Sequence, residues 1–296
     1  MHCRSVRQRF SIFADTTNRI ITMKKTFWIG LVALALSACG GSNDKAEAYL
    51  QKAEELFKTG DYSGAKSQID SIRTLFPKAF KARKAGIKLM QQIELKEQAR
   101  TITFLDSAYQ AKTARLDSIK GNYAFEKDTA YQEIGNYFSP TQTVEKNINR
   151  TFLRAQVSEL GVMTLTSIYC GKTNIHHTAV KVSSGDVFAQ SPVSNDVYET
   201  TDLGWKIEKA DYVLGQDSSV IAFIVMHRND PIRVEYQGDR NFTTTMLPSD
   251  KKAIADVYEL AQVLGGMEQI RKEKKEAQLH IEFIRRKMAE EKAEEE

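Results

Sequence analysis

Two stretches far apart in the chain carry the same spacing of apolar residues, and together they restrict the fold more than any other feature. Positions 95, 98, 102, 105, 109, 112, 116, 119 and 123 advance alternately by three and four. They carry Leu, Gln, Ile, Leu, Tyr, Lys, Leu, Ile and Tyr, seven apolar out of nine. Positions 260, 263, 267, 270, 274, 277, 281, 284 and 288 do the same with Leu, Val, Met, Ile, Lys, Ala, Ile, Ile and Met, eight out of nine. Such an alternation puts the side chains on one stripe of a helix, and the stripe needs a second helix to cover it. Each stripe spans 29 positions, or about 43 Å of helix. Equal lengths predict an antiparallel coiled-coil stalk within one chain, Leu95 near Met288 and Tyr123 near Leu260. The alternatives are two amphipathic helices packed separately on a globular body, and pairing between chains.

Between the stripes the apolar period falls from 3.6 to 2. The first long helix (78–139) is expected to run from Pro77 to about Tyr137, crossing Gly86 and Gly121, with Pro140 ending it. From 150 to 247 the pattern predicts a β-rich domain, a sandwich or small barrel of about eight strands. Leu153–Val157, Val162–Cys170 and His176–Val182 read as strands, with short ones near Phe188 and Trp205. Val220–Met226 is apolar at every position and reads as a strand covered on both faces. With Ile232–Tyr236 and Phe242–Met246 it would form a meander. Leu247-Pro248-Ser249-Asp250 opens a C-terminal helix (248–296), proline in its first turn, whose charged end from Ala289 lacks a stripe. The class is therefore α+β, with the β part held between two long helices.

Residues 23–39 set the location. Met23-Lys24-Lys25 precedes an apolar run from Thr26 to Leu36, then Ser37-Ala38-Cys39. The run is too short for a hydrocarbon core, which takes roughly 20 helical residues. Leu36-Ser37-Ala38-Cys39 resembles the lipobox of bacterial lipoproteins. That resemblance implies cleavage before Cys39, so that 1–38 is leader and signal peptide, and lipidation of Cys39, which becomes the membrane anchor. Gly40, where some of these systems place an aspartate as a retention signal, implies passage to the outer membrane. Gly40-Gly41-Ser42-Asn43 reads as a flexible tether (39–45).

Residues 46–77 contain Tyr49, Ala53, Leu56-Phe57, Gly60-Asp61-Tyr62, Ala65, Ile69, Ile72 and Pro77. This resembles one tetratricopeptide unit, two antiparallel helices joined by a Gly-Asp-Tyr turn and ended by proline. Lys52 and Ile72 depart from the pattern, and no second copy follows. A superhelix needs about three repeats to bury a continuous core, so one helical hairpin capped by the next helix is expected.

The whole-chain charge of +4 comes from the leader. Residues 1–38 hold six basic residues and one acid, leaving 36 basic and 37 acidic residues after them. That balance removes the electrostatic case for nucleic acid as a partner. Cys3 lies in the leader and Cys39 is the anchor, so Cys170 is alone in the folded part and reads as a small hydrophobe.

Gly171-Lys172-Thr173 lacks the earlier glycine and the following helix of a phosphate-binding loop, and reads as a turn. His176-His177, with Cys170 and His227, lacks metal-site spacing, and neighbours on a strand face opposite ways. No catalytic residue, metal or cofactor is assigned, and a non-enzymatic role is expected. Asp70-Ser71-Ile72, Asp106-Ser107-Ala108, Asp117-Ser118-Ile119 and Asp128-Thr129-Ala130 share one pattern, the last three every 11 residues. It resembles the acceptor motif of general protein O-glycosylation in some Gram-negative gut bacteria. That implies Ser71, Ser107, Ser118 and Thr129 as acceptors, the last three along one helix face. The alternative is a helical repeat with its Asp-Ser pairs on the wet side. Tyr198, Trp205 and Tyr212 are the aromatics selected as contacts for a protein or glycan partner. The expected protein is a lipid-anchored envelope component, structural or interacting, with glycan or nutrient capture and an unrecognised enzyme as alternatives.

Overall fold

The computed structural model describes residues 41–294, so Cys39 and the leader lie outside the described residues. The fold is α+β. Helix α1 (Gly41–Thr59) and helix α2 (Tyr62–Leu75) form the expected hairpin. Gly60 takes a φ of +83°, and Asp61 accepts from the Gly64 amide at 2.9 Å to cap α2. Ala46, Ala53 and Ala65 are completely buried, which lets the helices approach closely. Residues 41–45 of the anticipated tether are helical, and its residues 39 and 40 lie outside the described residues. Asp44 in the first turn of α1 suits the positive end of the helix dipole.

Helix α3 (Phe80–Ile119) is 40 residues long, not the 62 of the expected helix 78–139. Gly86 is absorbed where Ile69 presses on the helix, but the helix stops just before Gly121. Strand β1 (Ala124–Glu126) and strand β2 (Asn136–Phe138) follow, pairing with each other where helix was expected.

The long helices pair as the stripes require. Helix α5 (Pro248–Ala293) runs antiparallel to α3: Gln91 donates to Glu291 at 3.0 Å, Lys274 to Asp106 at 2.5 Å, and Arg115 pairs with Glu259. Tyr123 closes the ladder by donating to the Asp256 carbonyl at 2.7 Å, and burial pushes its phenol up to about 12. All eighteen stripe positions are buried or half-buried. Leu105, 4% exposed, is the best buried of the first stripe away from its ends. Leu105→Ala is expected to cost about 2–4 kcal/mol, read as a lower midpoint in urea unfolding; an unchanged midpoint would mean that this seam does not hold the helices together.

The head contains strands β3 (Phe152–Ser158), β4 (Met163–Gly171), β5 (Ala179–Ser184), β6 (Val187–Gln190), β7 (Val197–Asp202) and β8 (Trp205–Val213). Helix α4 (Val220–Met226), strand β9 (Arg233–Gln237) and strand β10 (Phe242–Thr245) complete it. One antiparallel sheet runs β1-β2-β3-β4-β8-β7 and the other β10-β9-β5-β6. Inward residues such as Leu153, Leu165, Val182 and Val234 share one core with Ile254, Leu260 and Leu264 of α5. The base of the head is therefore the first five turns of the long helix.

The expected strand at Val220–Met226 is a helix. Asp217 explains this: its carboxylate accepts from the Gly215 amide at 3.1 Å and from the Ile221 amide at 2.7 Å, turning the chain just before α4. Val220, Ile221 and Ile224 then bury one helical stripe. The supposed meander reduces to β9 with β10, and β9 pairs on its other side with β5.

Candidate functional site

Two neighbouring features of the head carry its unusual chemistry, one sealed and one open. The sealed one lies between the sheets. In β4 the inward phase that gives Met163, Leu165 and Tyr169 also brings in Ser167, and in β8 the phase of Ala210 and Tyr212 brings in Glu208. The segment 172–178 crosses above them and delivers His177. Ser167 Oγ lies 2.8 Å from His177 Nε2, and His177 Nδ1 lies 3.0 Å from Glu208. Glu208 also accepts from the backbone amides of Ile175 at 2.7 Å, His176 at 3.1 Å and His177 at 2.9 Å. Burial opposes ionisation of Glu208, but these amides and the His177 ring outweigh it and hold the carboxyl below the usual range. With Glu208 ionised, Nδ1–H donates to it and Nε2 accepts from the Ser167 hydroxyl.

Serine, imidazole and carboxylate thus stand in the order of a nucleophile relay. Their surroundings do not suit one. Ser167 is 0%, His177 2% and Glu208 1% exposed, with the Tyr236 ring 5.3 Å from the imidazole. A relay needs its serine open to a substrate, whereas this set pins the 172–178 segment onto β8.

His176 and His177 lie in the irregular segment before β5, not in the strand that was expected, and they diverge because His176 adopts a φ of +51° and is exposed while His177 is buried. The His176 Nδ1 meets Glu199 of β7 at 2.8 Å, and that hydrogen bond pushes the imidazole up from its ordinary value. His176, Glu199 and Glu208 lie close enough to share a cation. Both Glu208 oxygens, however, already accept two N–H groups each, so ligation would strip donors from buried amides.

The open feature is on the outer face of the six-stranded sheet. Tyr198, 57% exposed, stands beside a cavity of about 290 Å³ floored by Phe152, Ile168 and Ile207 and edged by the loop that carries Asn147 and Ile148. It continues into a second hollow of about 210 Å³, where Arg154, Gln156, Asp196 and Asp211 converge. Asp211 Oδ1 and Arg154 Nε are buried there without a hydrogen-bond partner, and burial pushes the Asp211 carboxyl up. Half-buried Cys170 borders the same groove, and burial raises its thiol.

Of the three aromatics picked from the sequence, only Tyr198 is openly presented. Trp205 is half-buried with the Lys172 ammonium 3.5 Å over its ring, in the turn that Gly171-Lys172-Thr173 was expected to make. Tyr212 is core, 3% exposed, its hydroxyl donating to the Thr178 carbonyl, so its selection as a contact residue is corrected. The hydroxyls of Ser71, Ser107 and Ser118 each donate to a carbonyl one helical turn earlier. Thr129 cannot continue their helix face, because α3 ends at Ile119 and Thr129 sits in an exposed turn.

Ser167, Glu208, Arg154 and Asp211 escaped the sequence reading. The first two were findable, since the period-2 phase of their strands places both in the core. No protein-family model matches the chain, and neither a curated protein nor a solved structure matches it. Among the described residues, no helix is long and apolar enough to cross a membrane.

Proposed function

We propose that the chain is a lipid-anchored component of the cell envelope that acts by interaction rather than catalysis. Cys39 holds it on a bilayer, the antiparallel α3–α5 coiled coil sets its reach, and the β-sandwich head meets a protein or glycan partner. One observation carries this: α1 begins two residues after Cys39 at one end of the stalk, while the groove beside Tyr198 opens on the head at the other. The sealed state of Ser167, His177 and Glu208 supports a non-enzymatic role. The lipobox and Gly40 favour the outer membrane. The Asp61-capped hairpin turn is in keeping with a tetratricopeptide unit used as a base. Ser107, Ser118 and Thr129 are exposed enough to accept O-glycans, and half-buried Ser71 less so.

A glycan ligand is the second reading, favoured by an exposed tyrosine ring beside converging carboxylate, amide and guanidinium groups. Both are tested together. Cys39→Ser in a Gram-negative host should leave the protein unprocessed; normal maturation and membrane retention of that variant would refute the anchor. Binding of the full chain to an envelope or dietary polysaccharide, weakened at least about tenfold by Tyr198→Ala, would select the glycan reading. Failure to bind any of them leaves the protein-partner reading in place.

A further inference from the structure

We propose that the α2–α3 turn, Leu75 to Lys81, inserts into the lipid–water interface of the bilayer that holds Cys39, giving the chain a second membrane contact. The inference rests on the anchored reading above and adds a surface which that reading does not require.

Position comes first. Tyr49 of α1 stacks on Phe76 with ring centroids 5.6 Å apart, and Ala46, one helical turn earlier, belongs to the same apolar cluster as Ala79 and Ala82, so the start of α1 and the α2–α3 turn share an end of the molecule. Gly41 is about 7 Å of helix before Ala46, and Cys39 can be at most about 7 Å further. A lipid on Cys39 therefore keeps the turn within reach of the bilayer surface. From there α3 leads about 60 Å away toward the head.

The turn is also divided by side-chain direction. Phe76 stacks on Tyr49 with ring centroids 5.6 Å apart, and Ala79 is buried. Leu75 and Phe80 point the other way, 58% and 73% exposed. Inside the hairpin they would add to the core, whereas at a bilayer they become two apolar prongs.

Charge provides the third argument. Between Asp70 and Glu94 the chain has six cations, Arg73, Lys78, Lys81, Arg83, Lys84 and Lys88, and no acid, although the chain after residue 38 is almost neutral. Arg73 pairs with Asp70 and Arg83 donates to the Pro77 carbonyl, while Lys84 and Lys88 border a hollow with Glu291 and Glu294. Lys78 and Lys81 flank Phe80 and are exposed. Asp44 and Glu47 lie on α1 at the same end, so the cationic bias belongs to the turn itself. Apolar prongs between lysines suit anionic headgroups over an acyl layer. A second contact would fix the angle of the stalk, which a flexible acyl anchor alone leaves free.

The test uses the full chain, recovered from the host membrane and reconstituted into phosphatidylcholine–phosphatidylglycerol vesicles with brominated acyl chains. Phe80→Trp is compared with Phe104→Trp, equally exposed at 71% but 24 residues, or about 36 Å, along the helix. Trp205 is common to both variants, and Trp28 leaves with the cleaved leader. The fluorescence of Phe80→Trp should shift to the blue and fall by roughly half in brominated vesicles, and that of Phe104→Trp should not change. Flotation with the vesicles but no quenching at position 80 overturns the insertion and leaves the anchor standing. A wild-type chain that does not float overturns both. A concentration-dependent blue shift at position 80 without lipid would place a second copy on the turn and overturns the insertion as well.

Discussion

Glu208→Ala is expected to destabilise the head by about 4–5 kcal/mol, comparable to the whole stability of a marginal domain. The alanine would leave the amides of Ile175, His176 and His177 and the imidazole Nδ1–H without their acceptor. Each buried donor left unpaired costs about 1–3 kcal/mol, reduced where the segment can move toward water. Glu208→Gln should cost about half as much. Its carbonyl oxygen keeps two of the four donors, and its NH₂ is turned against the other two. The pH dependence has a definite sign. A carboxyl held below its ordinary value of 4.5 in the folded state contributes stability that is complete above that value. The contribution is lost as pH falls through the folded value. Thermal melts from pH 7 to pH 3 should therefore show an acid limb that flattens in Glu208→Gln. A variant with an unchanged melting temperature and an unchanged acid limb would show that the 172–178 segment is held by something else.

This network also marks where the sequence stops being legible. Long periodic features were readable, because a stripe of nine positions needs a second helix to cover it; the choice among the possible partners came from the structure, where the pairs across α3 and α5 match the expected antiparallel order. The Gly60-Asp61 turn was readable because glycine supplies the left-handed φ and aspartate the cap. Short features were not. Seven apolar residues at 220–226 fit a buried strand or a helix equally well, and Asp217, outside the run, decides between them. Strands β1 and β2 have three residues each, too few to show a period, and they exist because β3 offers β2 an edge. The groove was least legible of all. Arg154 and Asp211 come together only through the β3–β4–β8 register, in which Arg154 opposes Thr166 and Thr166 opposes Asp211.

Gly161→Ala is expected to be strongly damaging for a change of a single small residue, at about 2–5 kcal/mol, by two separate mechanisms. Gly161 turns β3 into β4 with a φ of +80°, where a Cβ costs about 1–2 kcal/mol. The turn is tight, Gly161 donating to the Ser158 carbonyl at 2.8 Å and Ser158 to Val162 at 2.9 Å, so it has little freedom to rotate away. A Cβ at Gly161 would also overlap the backbone of Leu264 and Gly265 in α5, and backbone cannot swing aside as a long side chain can. Relief requires lifting the turn off the helix, a repacking cost of about 1–3 kcal/mol. Gly265→Ala at the same contact is the control. Its Cβ would stand 3.6 Å from the Gly161 carbonyl, an ordinary contact, and alanine improves helix propensity by about 1 kcal/mol. The two substitutions should therefore shift the melting temperature in opposite directions. Gly161→Ala should also speed amide hydrogen exchange in α5 around Leu264, since that is where head and stalk share their core. Equal and small effects from both would mean that the β3–β4 turn does not bear on α5, and that the head is joined to its stalk only through the strands' apolar face.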